Sequence, residues 1–156
     1  ARSRPEEAEA ERAAFEKVAS AIPSEATEGL NPASRLLTIA RELLAGEIAA
    51  GGGRTDEAVA HLRSAVKAED ELSYNEPSDW YYPARHHLGA ALLAAGRAAD
   101  AQLVYEEDLR RNPGNGWALA GLAESLKRQG KAAEAAAAQQ RLDKAWARAD
   151  APAPSP

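Results

Sequence analysis

The chain has 156 residues and a formal net charge of −5, and 39 of its residues are alanine. That length predicts one domain with a real core, and an apolar fraction built on Ala and Leu favours helix over sheet. The absence of cysteine excludes disulfides, thiolate metal sites and thiol catalysis, while no run approaches the roughly 18 apolar residues of a membrane span. An acidic chain without a basic block argues against nucleic acid or anionic lipid as a main partner. Lacking a Met at position 1, it is expected to be a fragment or a matured form of a longer product.

In chain order, residues 1–4 are expected to be flexible, and residues 5–30 to form an N-terminal helix with its connector. Ser3-Arg4-Pro5-Glu6 reads as a capping box, opening a helix to about Ile22 with Ala8, Phe15, Val18 and Ile22 on one stripe. Pro23 to Leu30 is a connector, and Asn31-Pro32 starts a helix that ends at Gly51-Gly52-Gly53. Further helices are predicted over roughly 55–71, 79–95, 98–111, 115–129 and 132–149. Residues 150–156, Asp150 followed by Ala-Pro-Ala-Pro-Ser-Pro, form a disordered or polyproline tail.

A repeat organises residues 31–149. Gly96-Arg97-Ala98-Ala99-Asp100-Ala101 is echoed 34 residues later by Gly130-Lys131-Ala132-Ala133-Glu134-Ala135. At the same offset Leu88 matches Leu122, Gly89 matches Ala123, and Leu92 matches Leu126. A third copy, Gly53-Arg54-Thr55-Asp56-Glu57-Ala58, lies 43 residues before the second, so nine residues are inserted between the two. The surplus falls at the turn-rich stretch 72–79. Helix pairing explains the pattern. Small residues in the first helix (Gly46, Gly89, Ala123) meet small residues in the second (Ala58, Ala101, Ala135). Each intervening glycine suits the left-handed cap that ends the first helix.

On these residues the chain resembles the tetratricopeptide repeat family, whose 34-residue period it shares. Leu88, Gly89, Leu92, Ala101, Tyr105 and Pro113 fall on the family's positions. Arg85 stands where Trp is common, Asp108 where Ala is usual, Gln139 at the aromatic position and Ala147 where Pro would stand. The resemblance implies an all-α fold, a right-handed α-solenoid of three antiparallel helix pairs behind the N-terminal helix. It also looks like the C-terminal end of a longer bacterial protein of this family. The compartment is left open, the bacterial cytoplasm being what that likeness implies.

Site candidates come from several directions. His86 and His87 are adjacent, so on a helix they point about 100° apart and do not converge on one ion; no metal or other cofactor is expected. The acidic runs around Glu69 and Glu106 read as solvated faces with intrahelical ion pairs, and no nucleophile triad or phosphate loop is present, so no catalytic residue is assigned. Tyr74, Trp80, Tyr81 and Tyr82 on or beside the insertion are either a recognition loop or packing that fills the gap between repeats. The family's concave groove, carried over residue by residue, would take Glu47, Pro83, His86, Leu93, Trp117, Glu124, Lys127 and Arg128. An exposed indole with a Lys-Arg pair would suit an extended peptide with an apolar anchor and a carboxylate. The implied function is a scaffold that binds a protein or peptide partner, not an enzyme. The alternatives are an accessory or dimerising part of a larger enzyme or metal-handling protein, and a homodimer through an exposed solenoid end.

Overall fold

The computed structural model describes residues 5–154. Ser3 and Arg4 of the expected capping box, and the final Ser155-Pro156, lie outside the described residues. The described chain is all-α. Its helices are α1 (Pro5–Ala19), α2 (Ala33–Gly51), α3 (Thr55–Asp70), α4 (Ala84–Ala94), α5 (Ala98–Arg111), α6 (Gly116–Arg128) and α7 (Ala132–Trp146). The chain divides into two compact units, Ala1–Ala84 and Arg85–Pro156.

The repeated turn is geometrically the same three times. Gly53, Gly96 and Gly130 have φ of 74°, 73° and 74°, a conformation that costs an L side chain but not glycine. Each glycine N–H reaches the carbonyl three residues back, and the next N–H reaches the carbonyl five residues back, as in Gly96 N to Leu93 O (3.0 Å) and Arg97 N to Leu92 O (2.8 Å). These paired bonds satisfy carbonyls that the ending helix leaves open. The following residue, Arg54, Arg97 or Lys131, then caps the second helix at nearly the same φ and ψ.

In the first unit, α2 and α3 close on one another at Gly46, where a Cβ would stand 2.7 Å from Leu62 Cγ. Ala58, Leu62, Ile39 and Ala49 are buried beside this contact. Helix α1 packs less deeply than its stripe predicts. It ends at Ala19, three residues early, and leaves Val18 and Ile22 exposed. Its attachment to α2 is largely polar: Arg41 donates to both Glu16 oxygens at 2.7 and 2.9 Å and lies over the Phe15 ring at 5.8 Å.

The connector is more ordered than its composition suggests. Thr27–Glu28 (β1) pairs antiparallel with Asn31–Pro32 (β2), and Gly29 makes the turn at φ 54°. Asn31 is buried and clasps the inserted stretch. Its amide donates to Ser73 O (3.0 Å) and Asp79 Oδ2 (2.7 Å), while its own oxygen accepts from Ser73 N (2.7 Å). The insertion is longer than 72–79, because α4 begins only at Ala84, five residues later than predicted. Pro83 sets that boundary by disfavouring helix in the residue before it, and Glu69 Oε2 accepts the Ala84 N–H at 2.8 Å.

In the second unit the Tyr105 ring fills the centre. It is buried between Gly89 of α4 and Gly121 of α6, and a Cβ at either glycine would run into it. Ala101, Leu92, Leu119 and Leu126 complete this interior. The terminal helix α7 buries only Ala138 and Leu142, matching its polar Gln139.

Candidate functional site

The second unit carries an organised polar and aromatic cluster at the N-terminus of α6. Asn115 precedes the helix, and its side-chain oxygen accepts the Trp117 N–H at 3.1 Å, satisfying one of the open helix donors. That bond fixes the amide orientation, so its NH2 group faces inward. One hydrogen goes to Asp108 Oδ2 and the other to His86 Nε2, each at 2.7 Å. Asp108 is 1% exposed and His86 6%. The imidazole therefore accepts through Nε2 and carries its proton on Nδ1. His86 Nε2 and Asp108 Oδ2 are 3.7 Å apart with the amide bridging them. An amide does not pass a proton, so the trio orients a ring and caps a helix rather than relaying charge.

Above this trio stand two indoles. The Trp117 ring stacks with His86 at a centroid distance of 6.4 Å, the planes 16° apart, and meets Trp146 of α7 edge-on at 5.2 Å. Trp146 lies against Gly116, where a Cβ would collide with its ring. Trp117 nevertheless remains 44% exposed, a large flat apolar surface held from below by a buried support.

Structure separates the other groove candidates. Leu93 is buried, as His86 is, and neither presents an open surface. Arg128 is engaged twice, by Glu124 Oε1 and by the Leu93 carbonyl, each at 2.7 Å. The expected Lys-Arg pair is thus reduced to the exposed Lys127. Lys127 and Glu124 border a groove of about 410 Å³ between α6 and α7, whose floor includes Ala120, Ala123, Ala136 and Leu142. Trp117 and Lys127 lie ten residues apart on one helix, roughly 15 Å along its axis. Glu47 is exposed on α2 in the first unit, and Pro83 is half-buried there.

The aromatic run beside the insertion splits in two. Tyr74 and Tyr81 are 79% and 90% exposed, whereas Trp80 and Tyr82 are half-buried. Tyr74 donates its hydroxyl to Glu76 at 2.6 Å, which raises its pKa. Burial, and then the charge of Glu47, raise that of Tyr82. Trp80 and Tyr82 thus take part in packing, while Tyr74 and Tyr81 stand on the surface.

Among the described residues no group of three His, Asp or Glu side chains converges as a metal set, and no helix is long and apolar enough to cross a membrane. His61 bonds Glu42 at 2.8 Å within the first unit. Asn115 and Trp146 were missed as site residues from sequence. Asn115 carried a usable signal, a strong N-cap residue before the helix bearing Trp117, but nothing local connects Trp146 to it. No family model, curated protein or solved structure matches the chain.

Proposed function

We propose that this chain is a peptide- or domain-binding module built from tetratricopeptide-type helix pairs in a right-handed α-solenoid, with Trp117 as its principal contact. The observation that carries this reading is the support beneath an exposed indole. A buried Asp–Asn–His arrangement and a second tryptophan hold the Trp117 ring in one orientation while almost half of its surface meets solvent. Rigid, partly exposed tryptophans are favoured anchors in interfaces because they bring large contact area with little ordering cost. Lys127, about 15 Å further along the axis of the same helix, supplies a cation for an acidic group about four or five extended residues or more from the apolar anchor.

Selection of peptides from a random displayed library tests this. Enrichment of an apolar residue followed at that spacing by Asp or Glu is the expected outcome, with binding lost in Trp117→Ala and the acidic preference lost in Lys127→Ala. A consensus indifferent to Trp117→Ala would sink the reading.

A second reading has its own observation. Val18, Ile22 and Leu30 are exposed on α1 and its connector, the apolar end that a homodimer would cover. Sedimentation of wild type and Val18→Asp separates the two: a dimer abolished by the substitution favours self-association, and a monomer in both dismisses it.

A further inference from the structure

The groove between α6 and α7 is walled in part by the chain's own C-terminal tail. Ala153 and Pro154 lie against it, and Pro154 is half-buried although the three residues before it are exposed. The path into the groove is fixed by one bond, from the Trp146 indole Nε1–H to the Ala151 carbonyl at 2.9 Å. Polyproline segments have open carbonyls and few N–H groups, and an indole N–H donating to such a carbonyl is a complementary contact.

We infer that the α6–α7 groove is a receptor for short Ala/Pro-rich extended segments, and that the chain's own Ala151–Pro154 tail lies along it as an intramolecular ligand covering part of the site. The lining fits that class. Ala120, Ala123 and Ala136 present methyl groups, leaving a shallow channel that accepts proline rings and methyl side chains but no large anchor. Of the polar rim, Glu124 is bound to Arg128 and Gln139 donates to Asp143 at 2.8 Å, which leaves Lys127 to donate to a ligand carbonyl. Proline fixes φ before binding, so little conformational freedom is lost on docking. The tail is joined to α7 through only Ala147–Asp150, and a short tether gives an effective concentration on the order of millimolar. A groove with weak affinity for free peptide is therefore kept partly covered by its own tail. An external Ala/Pro-rich segment must displace that tail, making it a competitive mask over the Lys127 half of the face.

This rests on α6–α7 being a peptide-receiving face, yet its test is independent of Trp117. The three indole N–H signals of the ¹⁵N-labelled full chain are compared with those of a full-length Pro152→Gly, Pro154→Gly variant and of Ala136→Glu, which places a charge on the exposed floor. Both variants should shift the Trp146 indole signal and speed its exchange with solvent, while Trp80 in the other unit stays fixed. Acetyl-Ala-Pro-Ala-Pro-Ser-Pro, added at millimolar concentration to the double-glycine variant, should move the Trp146 and Lys127 signals back towards wild-type positions. The wild-type chain should respond more weakly at equal peptide. An unchanged Trp146 indole in both variants would overturn the docked tail, and a double-glycine variant blind to the peptide would overturn the receptor. Loss of library-selected peptides in Trp117→Ala leaves either result unaffected.

Discussion

The two units use the same turn and fill the space behind it differently. In the first, Gly46 admits a leucine, and the buried Asn31 ties down the inserted loop at Ser73 and Asp79. In the second, Gly89 and Gly121 admit the Tyr105 ring, and a buried carboxylate stands among the helices. The turn is a local device, closed by two backbone bonds and one glycine, so it recurs wherever its residues recur. The interior depends on partners tens of residues apart, and there the copies diverge. The second unit is the one that carries a supported, exposed tryptophan. The departure from the repeat pattern at Asp108 is part of that support.

The largest break in this comparison is predicted at Tyr105. Tyr105→Ala empties a site bounded by two glycines that have no side chains to collapse inward, and should cost about 3–5 kcal/mol in urea unfolding. A loss under about 1 kcal/mol would remove Tyr105 from the centre of the second unit. Ala101, fully buried on the same helix, tests the opposite error: Ala101→Leu should overpack and cost about 1–3 kcal/mol.

Asp108 sharpens the contrast chemically. Asp108→Ala leaves an Asn115 hydrogen unmatched in a buried site, at an expected cost of about 1–3 kcal/mol. Because Asn115 also supports the ring under Trp117, the variant should alter tryptophan fluorescence before it unfolds. Unchanged emission with normal stability would mean that the trio does not hold the indole.

The shared turn provides a matched set. A Cβ at Gly53, Gly96 or Gly130 meets nothing within 4 Å, so alanine there reports backbone conformation alone. Each Gly→Ala should cost about 1–2 kcal/mol, and the three values should agree closely. One site much cheaper than the others would show that its turn differs in solution from its two counterparts.

These same features divide what could be read from the sequence. The helix pairs were legible because glycine caps, small-residue positions and a 34-residue echo are all local signals. Helix α5 begins and ends where predicted, at Ala98 and Arg111. The helix expected from about residue 79 begins only at Ala84, since Pro83 disfavours helix in the residue before it. At the site, Trp117 stood out as a large ring at no core position. Its supports did not: Asp108 registered only as a mismatch, and Trp146 lies 29 residues away along the chain. The burial of Leu93 and His86 was likewise set by packing between helices. The exposure of Val18 followed from α1 being held by Arg41 rather than by its apolar stripe.

The smallest predicted effect lies on that polar attachment and distinguishes it from the apolar pairing of α2 with α3. The hydrogen bonds from Arg41 hold the Glu16 carboxyl below the ordinary range, and the same pair raises Arg41. For an acid whose folded pKa is depressed, the contribution is complete above the unfolded value of about 4.3 and is lost as pH falls through the folded one. Tyr82 gives the opposite edge. Burial raises its pKa, so its contribution is complete below about pH 10 and declines as pH climbs past that point. Unfolding followed from pH 3 to 11 should therefore show a mild acid slope that Glu16→Gln removes and an alkaline slope that Tyr82→Phe reduces, the remainder coming from Tyr74, whose pKa is raised by its bond to Glu76. Salt should flatten the first, because the Glu16–Arg41 pair meets solvent, and should leave most of the second, which originates in burial. An acid slope identical in wild type and Glu16→Gln would show that the Glu16–Arg41 pair contributes nothing, would place the α1 attachment in its apolar contacts after all, and would bring the first unit's outer helix under the same packing rule as its inner pair.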